Sequence, residues 1–227
     1  MAFNLSRLGQ IFLRNLLLLT PLAFLPCTGC ELLGVAASDV SNSQNIAPAY
    51  TGLKGQHVGI MVWADEGVSM DHPRINADIA GGLQDKLQQG IDAKVDELKN
   101  TTFFSVSKVL QYQEAHPEAQ TDSAEQAAVQ FPVTRLIYIE IQGFSLHPGQ
   151  SADLWRGDVV ASVKVVEVDN GKAKVTYNDD NVSASYPPHA PPEGLPNLSD
   201  EEVYTKSVDA LTTELGKLFL THPQDEP

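Results

Sequence analysis

Beyond residue 30 this chain has no cysteine; the two it contains are Cys27 and Cys30. No disulfide framework can therefore staple the folded part, and a buried core must hold it together. Positive charge is also scarce. Arg7 and Arg14 are the only charged residues before Glu31, which leaves 13 basic residues against 29 acids in the remainder, a formal charge of −16. A surface of that sign repels phosphate backbones and anionic headgroups, so nucleic acid is excluded as an expected partner and a protein or cationic one is favoured. A long apolar run is missing as well. Leu16 to Leu25 is about half of the roughly 20 residues a bilayer needs, and Pro21 and Pro26 interrupt it, which weighs against a membrane-spanning helix. Finally, there is no Gly-x-Ser-x-Gly elbow, Walker A loop, Gly-x-Gly-x-x-Gly fingerprint, or zinc or calcium spacing. The standard sequence grounds for a hydrolase, NTPase, dehydrogenase or metalloprotein are thus absent. The expectation is a non-catalytic protein without a cofactor.

What is present begins with an export signal. Arg7 and Arg14 give a positive n-region, Leu16 to Leu25 (LLLLTPLAFL) a short h-region, and Thr28-Gly29 small residues ahead of Cys30. Pro26-Cys27-Thr28-Gly29-Cys30 resembles the lipobox of bacterial lipoproteins, matching at Thr28, Gly29 and Cys30, with Cys27 where leucine is usual. The resemblance implies cleavage before Cys30 and acylation of that cysteine, with palmitate among the chains; Cys27 is a second candidate. Each buried methylene of such a chain contributes about 0.8 kcal/mol, so more than one chain makes a stable anchor. Cys27 and Cys30 also spell Cys-x-x-Cys, but that redox chemistry needs a strand-to-helix context and here the pair ends a signal peptide. The sequence thus divides into a signal peptide at 1–29, a flexible tether at 30–52, one α/β domain at 53–222 and a disordered tail at 223–227. The tether reading rests on small polar residues without a period, with a reach of roughly 25 Å.

Within the domain, Phe131 to Leu146 (FPVTRLIYIEIQGFSL) is the stretch around which the rest is expected to build. Ile137, Ile139 and Ile141 fall on one strand face and Leu136, Tyr138 and Glu140 on the other, which predicts an inner strand covered on both sides. His57 to Ala64 predicts another strand buried on both faces. After a loop at Asp65 to His72, a helix starting at Pro73 and capped by Asp71 or His72 is predicted. Its stripe is Ile75, Ile79, Leu83 and Leu87, and Gly81-Gly82 implies close approach to the sheet. Thr101 to Val109 reads as a strand and Gln111 to Gln120 as loop. Asp122 to Glu125 has the spacing of a capping box, opening a helix over 122–130. Leu154 to Val168 and Lys174 to Tyr177 form a hairpin on Asn170-Gly171. A proline-rich loop follows at Tyr186 to Pro196, and Ser199 to Glu202 opens a last helix along Val203, Val208, Leu211, Leu215 and Phe219.

This order predicts a mixed sheet of about five strands with helices packed on it, an anticodon-binding-like α/β arrangement. An exported chain with His57-Val-Gly-Ile-Met-Val, the helix Ile75 to Leu87 and the step from Ala124-Glu-Gln-Ala-Ala to Leu136-Ile-Tyr-Ile-Glu-Ile resembles the small α/β domain shared by CsgG, the TolB N-terminal domain and LpoB. The resemblance implies architecture and a partner-binding habit in the cell envelope, anchored through Cys30 and facing the periplasm from the outer membrane. It transfers no functional residue.

Two groups of residues are candidate sites. Tyr186 with Pro187, Pro188, Pro191 and Pro192 forms a stiff loop that loses little entropy on docking, the partner-binding candidate; the plainer alternative is a strap joining hairpin to helix. Asp65, Glu66, Asp71 and His72, with Glu140, would converge at the carboxyl edge of parallel strands. That would suit a secreted metal-binding protein or hydrolytic enzyme, although acids also favour a helix N-terminus without any site. A third possibility is a structural protein that self-associates into a homo-oligomer through the edge of the hairpin Leu154 to Tyr177.

Overall fold

The structure, a computed structural model, describes residues 45–149 and 153–224. The expected signal peptide, Cys30, the expected tether up to residue 44 and residues 225–227 lie outside the described residues. None of the described helices is long and apolar enough to cross a membrane.

The apolar pattern of the central stretch produces the expected strand. β1 (Asn45–Ile46) opens the described chain, β2 is His57–Ala64, β3 Thr102–Phe103, β4 Arg135–Ser145, β5 Gly157–Asp169, β6 Lys172–Tyr186 and β7 His222–Pro223. Five of these form a mixed sheet in the order β3-β2-β4-β5-β6, with β4 in the middle. β2 runs parallel to β3 and β4, while β4, β5 and β6 are successively antiparallel. Asn170 and Gly171 both take positive φ, 50° and 75°, as the two-residue turn between β5 and β6 requires.

Period-two alternation sorts the core into two layers. Val58, Ile60 and Val62 of β2 join Ile137, Ile139 and Ile141 of β4 and Val159, Val163 and Val165 of β5 on one face. Helices α2 (Ile75–Asp92) and α5 (Asp200–Lys217) cover that face with Ile79, Leu83, Leu87, Leu211 and Leu215. Met61, Trp63, Leu136, Tyr138 and Val166 point the other way, under α3 (Val106–Ala115) and the short α4 (Ala124–Ala128). Each aliphatic side chain so buried contributes roughly 1.5–3 kcal/mol, enough to offset the ordering of its own backbone.

Several local expectations are corrected. The 65–72 loop contains a one-turn helix, α1 (Glu66–Asp71), and α2 starts at Ile75 behind Arg74, not at Pro73. Gly82 approaches α5, where an added Cβ would stand 3.1 Å from Thr212 Cγ2, while Gly81 meets nothing; the close contact is between helices and not with the sheet. Thr101 to Val109 is strand only at Thr102–Phe103 and then becomes α3, which takes half of the expected loop at 111–120; Pro117–Thr121 is a 3-10 turn. The β-branched and aromatic residues there suggested a strand, but the buried side of α3 is Val109 and Gln113, and a polar Gln113 hides the helical stripe. The capping box lies one residue later than its spacing suggested. Ser123 and Gln126 form it reciprocally, whereas at α5 the Ser199 side chain accepts from the Glu202 amide.

The tether reading is corrected at its end. Residues 45–52 pack on the body: β1 pairs with β7, and Tyr50 is buried with its amide bonded to the Leu218 carbonyl. The Tyr50 hydroxyl donates to Glu167 at 3.1 Å and accepts from Arg135 Nε at 3.1 Å. β7 likewise occupies Pro223, the first residue assigned to the tail.

Candidate functional site

The two edges of the sheet differ in what closes them. On one side, β3 is two residues long, and beyond it the even-numbered positions of β2 still present carbonyls outward, on the side where Val58 accepts from Phe104. Side chains take the place of a strand there. Gln113 Nε2 donates to the Val62 carbonyl at 2.8 Å, and Gln120 Nε2 and Ser69 Oγ each donate to that of Ala64 at 3.2 Å.

The other side has no such cover. β6 spans 15 residues and is the last strand of the order. Its half near the turn carries Lys172 and Lys174, and its middle is displaced by a register shift across Asp180 and Asn181, both devices that discourage edge pairing. The remaining segment, Val182-Ser-Ala-Ser-Tyr186, is uncharged and small. Among the described residues no side chain hydrogen-bonds its backbone.

α5 runs beside this segment and makes a groove with it. One part, 570 Å³, lies between Ser183, Tyr186 and Pro188 and the α5 residues Lys206, Ala210 and Glu214. A second, 360 Å³, shares Ser183 and Glu214 and continues past Asp179 to Ile46 and His222. From Asp179 to Tyr186 this is about 23 Å of strand at 3.3 Å per residue, a length suited to an extended segment of about seven residues. Its rim is ionic: Lys217 pairs with Glu214 at 2.9 Å and Lys86 with Asp209 at 2.9 Å. Gly157 lets α5 sit this low against the sheet, because a Cβ there would stand 3.0 Å from Val203 Cγ1 and collide with Ser207 Oγ.

Of the proline-loop candidates, Tyr186 and Pro188 line the groove, while Pro187, Pro191 and Pro192 do not. The Tyr186–Pro187 bond is cis. The loop that follows is also tied down as a strap: Trp155 and Leu195 exchange two backbone hydrogen bonds of 2.9 Å. At Gly194, φ is +86° and an added Cβ would lie 2.9 Å from the Trp155 carbonyl oxygen, so glycine is required there.

The acidic candidates are not brought together. β2 and β4 are parallel neighbours, but Glu140 lies on the face opposite α2, where Lys164 sits at 3.1 Å and Ser162 Oγ donates at 3.2 Å. His72 packs on the α5 side, its ring centroid 4.8 Å from Phe144 and 5.3 Å from Tyr204. Burial there lowers the His72 pKa, against the opposing pull of Asp71 and Asp200. The Tyr204 hydroxyl donates to Asp78 at 2.7 Å, and its pKa is raised by burial first and by that carboxylate second. Among the described residues no group of three or more His, Cys, Asp or Glu is placed to hold a metal ion.

Sequence reasoning missed Ser183, Lys206, Ala210 and Glu214. Nothing in their spacing marks them, since a groove between an edge strand and a helix 20 residues further on is a product of topology.

No family model and no curated protein sequence matches the chain. Solved structures to which it is similar include the PelC dodecamer from Paraburkholderia phytofirmans (TM-score 0.43, 9% identity, covering 78% of this chain and 96% of that one). Lipoprotein GNA1162 from Neisseria meningitidis is another (TM-score 0.39, 14% identity, 70% and 96%). A third is the hypothetical protein CT253 from Chlamydia trachomatis (TM-score 0.36, 16% identity, 58% and 72%).

Proposed function

We propose that this chain is a lipid-anchored cell-envelope protein whose α/β domain, without catalysing a reaction, binds an extended segment of another envelope protein along the open edge of β6. The observation that carries this reading is the uncharged Val182–Tyr186 edge, which no described strand or side chain covers, with the α5 groove beside it. Strand addition supplies main-chain hydrogen bonds from the edge and lets alternate side chains of the guest enter the groove. The net negative charge beyond residue 30 favours a guest with basic side chains and speeds its approach. The lipobox-like segment ending at Cys30 supports the anchor, and the outer membrane with the domain facing the periplasm is the placement we favour. Asn45 follows Cys30 by 15 residues, so the chain allows at most about 50 Å between lipid and domain.

The test is fractionation followed by capture. Native protein partitions with membranes and carries acyl chains on Cys30 by mass spectrometry, and Cys30→Ser moves it to the soluble fraction. Detergent-solubilised native protein then retains one envelope protein at stoichiometric yield. An unmodified N-terminus beyond residue 30 sinks the anchor. A mass in light scattering that grows with concentration, with no second protein bound, replaces the guest by a second copy of this chain.

A further inference from the structure

Two loops and the start of α5 meet at one histidine. His147 Nδ1 lies 2.9 Å from the Leu154 carbonyl oxygen and Nε2 lies 3.1 Å from Asp200 Oδ1. The Trp155 ring stands beside it, centroids 5.6 Å apart, and its Nε1 donates to the same Asp200 oxygen at 2.7 Å. Trp155 is also the residue whose backbone pairs with Leu195 of the strap. The loop after β4, the strap after β6 and the first residue of α5 are therefore joined around the His147 ring.

A carbonyl oxygen has no proton to give, so Nδ1 must be the donor to Leu154. The proton on Nε2 is then the only variable. With it, a cation faces a carboxylate; without it, a lone pair does, and the contact becomes repulsive. We propose that His147 is the pin of a pH-operated clasp, which as an imidazolium adds an ion pair to the Trp155 Nε1–Asp200 hydrogen bond in holding the Leu154–Trp155 segment, and through it the strap, to the N-terminus of α5, and as a neutral ring lets go of Asp200 and leaves that hydrogen bond alone. One proton passes between Nε2 and solvent, and nothing else is exchanged. The contact is present at low pH and is lost as pH rises through the range in which the ring gives up that proton.

Charged groups near the ring come from the loop before α2, from α5 and from the start of β5. Glu201 adjoins Asp200 on α5, and Asp71, His72 and Arg74 line the 280 Å³ cavity that Leu146 borders. Three carboxylates there face one arginine. Arg156 is engaged by Asp158 at 3.2 Å. His72 cannot serve as the pin, because its surroundings are the rings of Phe144 and Tyr204 and their burial disfavours its charged form. A consequence that rests on the proposed function is pH-dependent capture, since Pro188 of the strap lines the groove.

The experiment reads the clasp without any partner. The chain has two tryptophans, so Trp63→Phe leaves Trp155 as the sole emitter. Trp63 Nε1 is buried without a hydrogen-bond partner among the described residues, and its removal costs no polar contact there. An adjacent imidazolium quenches indole emission, so Trp155 fluorescence should rise about twofold from pH 5 to pH 8. The rise should be absent when His147→Gln is added, and Asp200→Asn should move it to lower pH. In the otherwise native chain, amide exchange at Trp155 and Leu195, corrected for intrinsic rate, should lose about tenfold of its protection over the same interval. With His147→Gln it should be fast throughout. A flat fluorescence profile, a rise that survives His147→Gln, or exchange protection independent of pH would each overturn the clasp. None of these outcomes bears on whether β6 binds a guest.

Discussion

The β3 and β6 sides of this sheet solve the same problem in opposite ways. Any edge strand exposes amides and carbonyls that invite another chain. On the β3 side the strand is only two residues long, and Gln113, Gln120 and Ser69 satisfy the outward carbonyls of Val62 and Ala64 in β2. On the β6 side a 15-residue strand is guarded by lysines and a register shift over its first two-thirds and left plain over Val182–Tyr186. A fold that closes one edge with three side chains had the means to close the other. The plain segment also coincides with a groove, and this coincidence makes it the better candidate for a docking site.

The largest expected effect lies where both halves of the sheet hang from one strand. β4 pairs with β2 on one side and β5 on the other, and Ile139 is fully buried between them. Ile139→Ala should lower unfolding free energy in urea by about 2–5 kcal/mol, the range for removing a buried aliphatic side chain to alanine. A loss under about 1 kcal/mol would mean that the two edges are not joined through a common core, and the comparison between them would lose its basis.

Opening the closed edge is the next test. Gln113 is 7% exposed, and its side-chain amide donates to the Val62 carbonyl at 2.8 Å. Gln113→Leu keeps the bulk but strands that carbonyl, which should cost about 1–3 kcal/mol. Among the described residues Gln113 Oε1 has no partner of its own, so the substitution also removes one unsatisfied atom and the lower end of that range is the expected one. If denaturation shows no change, glutamine is not what closes this edge, and the contrast with β6 is weaker than the geometry implies.

How much of this was readable beforehand follows from where apolar period is strong. Ile137, Ile139 and Ile141 alternate without interruption, and their strand, its two faces and its central place were all legible. The Asn170-Gly171 turn was equally plain. The length of β6 was not: beyond Tyr177 its residues are mostly polar, and the shift at Asp180 and Asn181 breaks the alternation, so only four of its residues looked like strand. The first residues of α3 read as strand and its second half as loop, because Gln113, buried to bond a backbone, occupies the place of an apolar residue. The groove depends on how α5 lies against β6, which is set by the absent side chain at Gly157 and cannot be seen from either segment alone. Tyr186 and Pro188 were picked out for their stiffness and do reach the groove, whereas Pro191 and Pro192 share the composition and not the position.

The smallest expected effect on stability is the sharpest test of the contrast. Ser183 is exposed, lines both parts of the groove and makes no side-chain hydrogen bond among the described residues. A lysine there is the device that β6 already uses at 172 and 174, and surface changes of this kind stay within about 0.5 kcal/mol. Ser183→Lys should therefore leave the melting temperature where it is and abolish capture of the guest, because the added cation blocks the edge and repels basic side chains. Lys172→Ser, at the guarded end, should change neither. Capture that survives Ser183→Lys would mean that the plain segment is not where the guest binds, and that the open edge of β6 is no more than an uncovered strand.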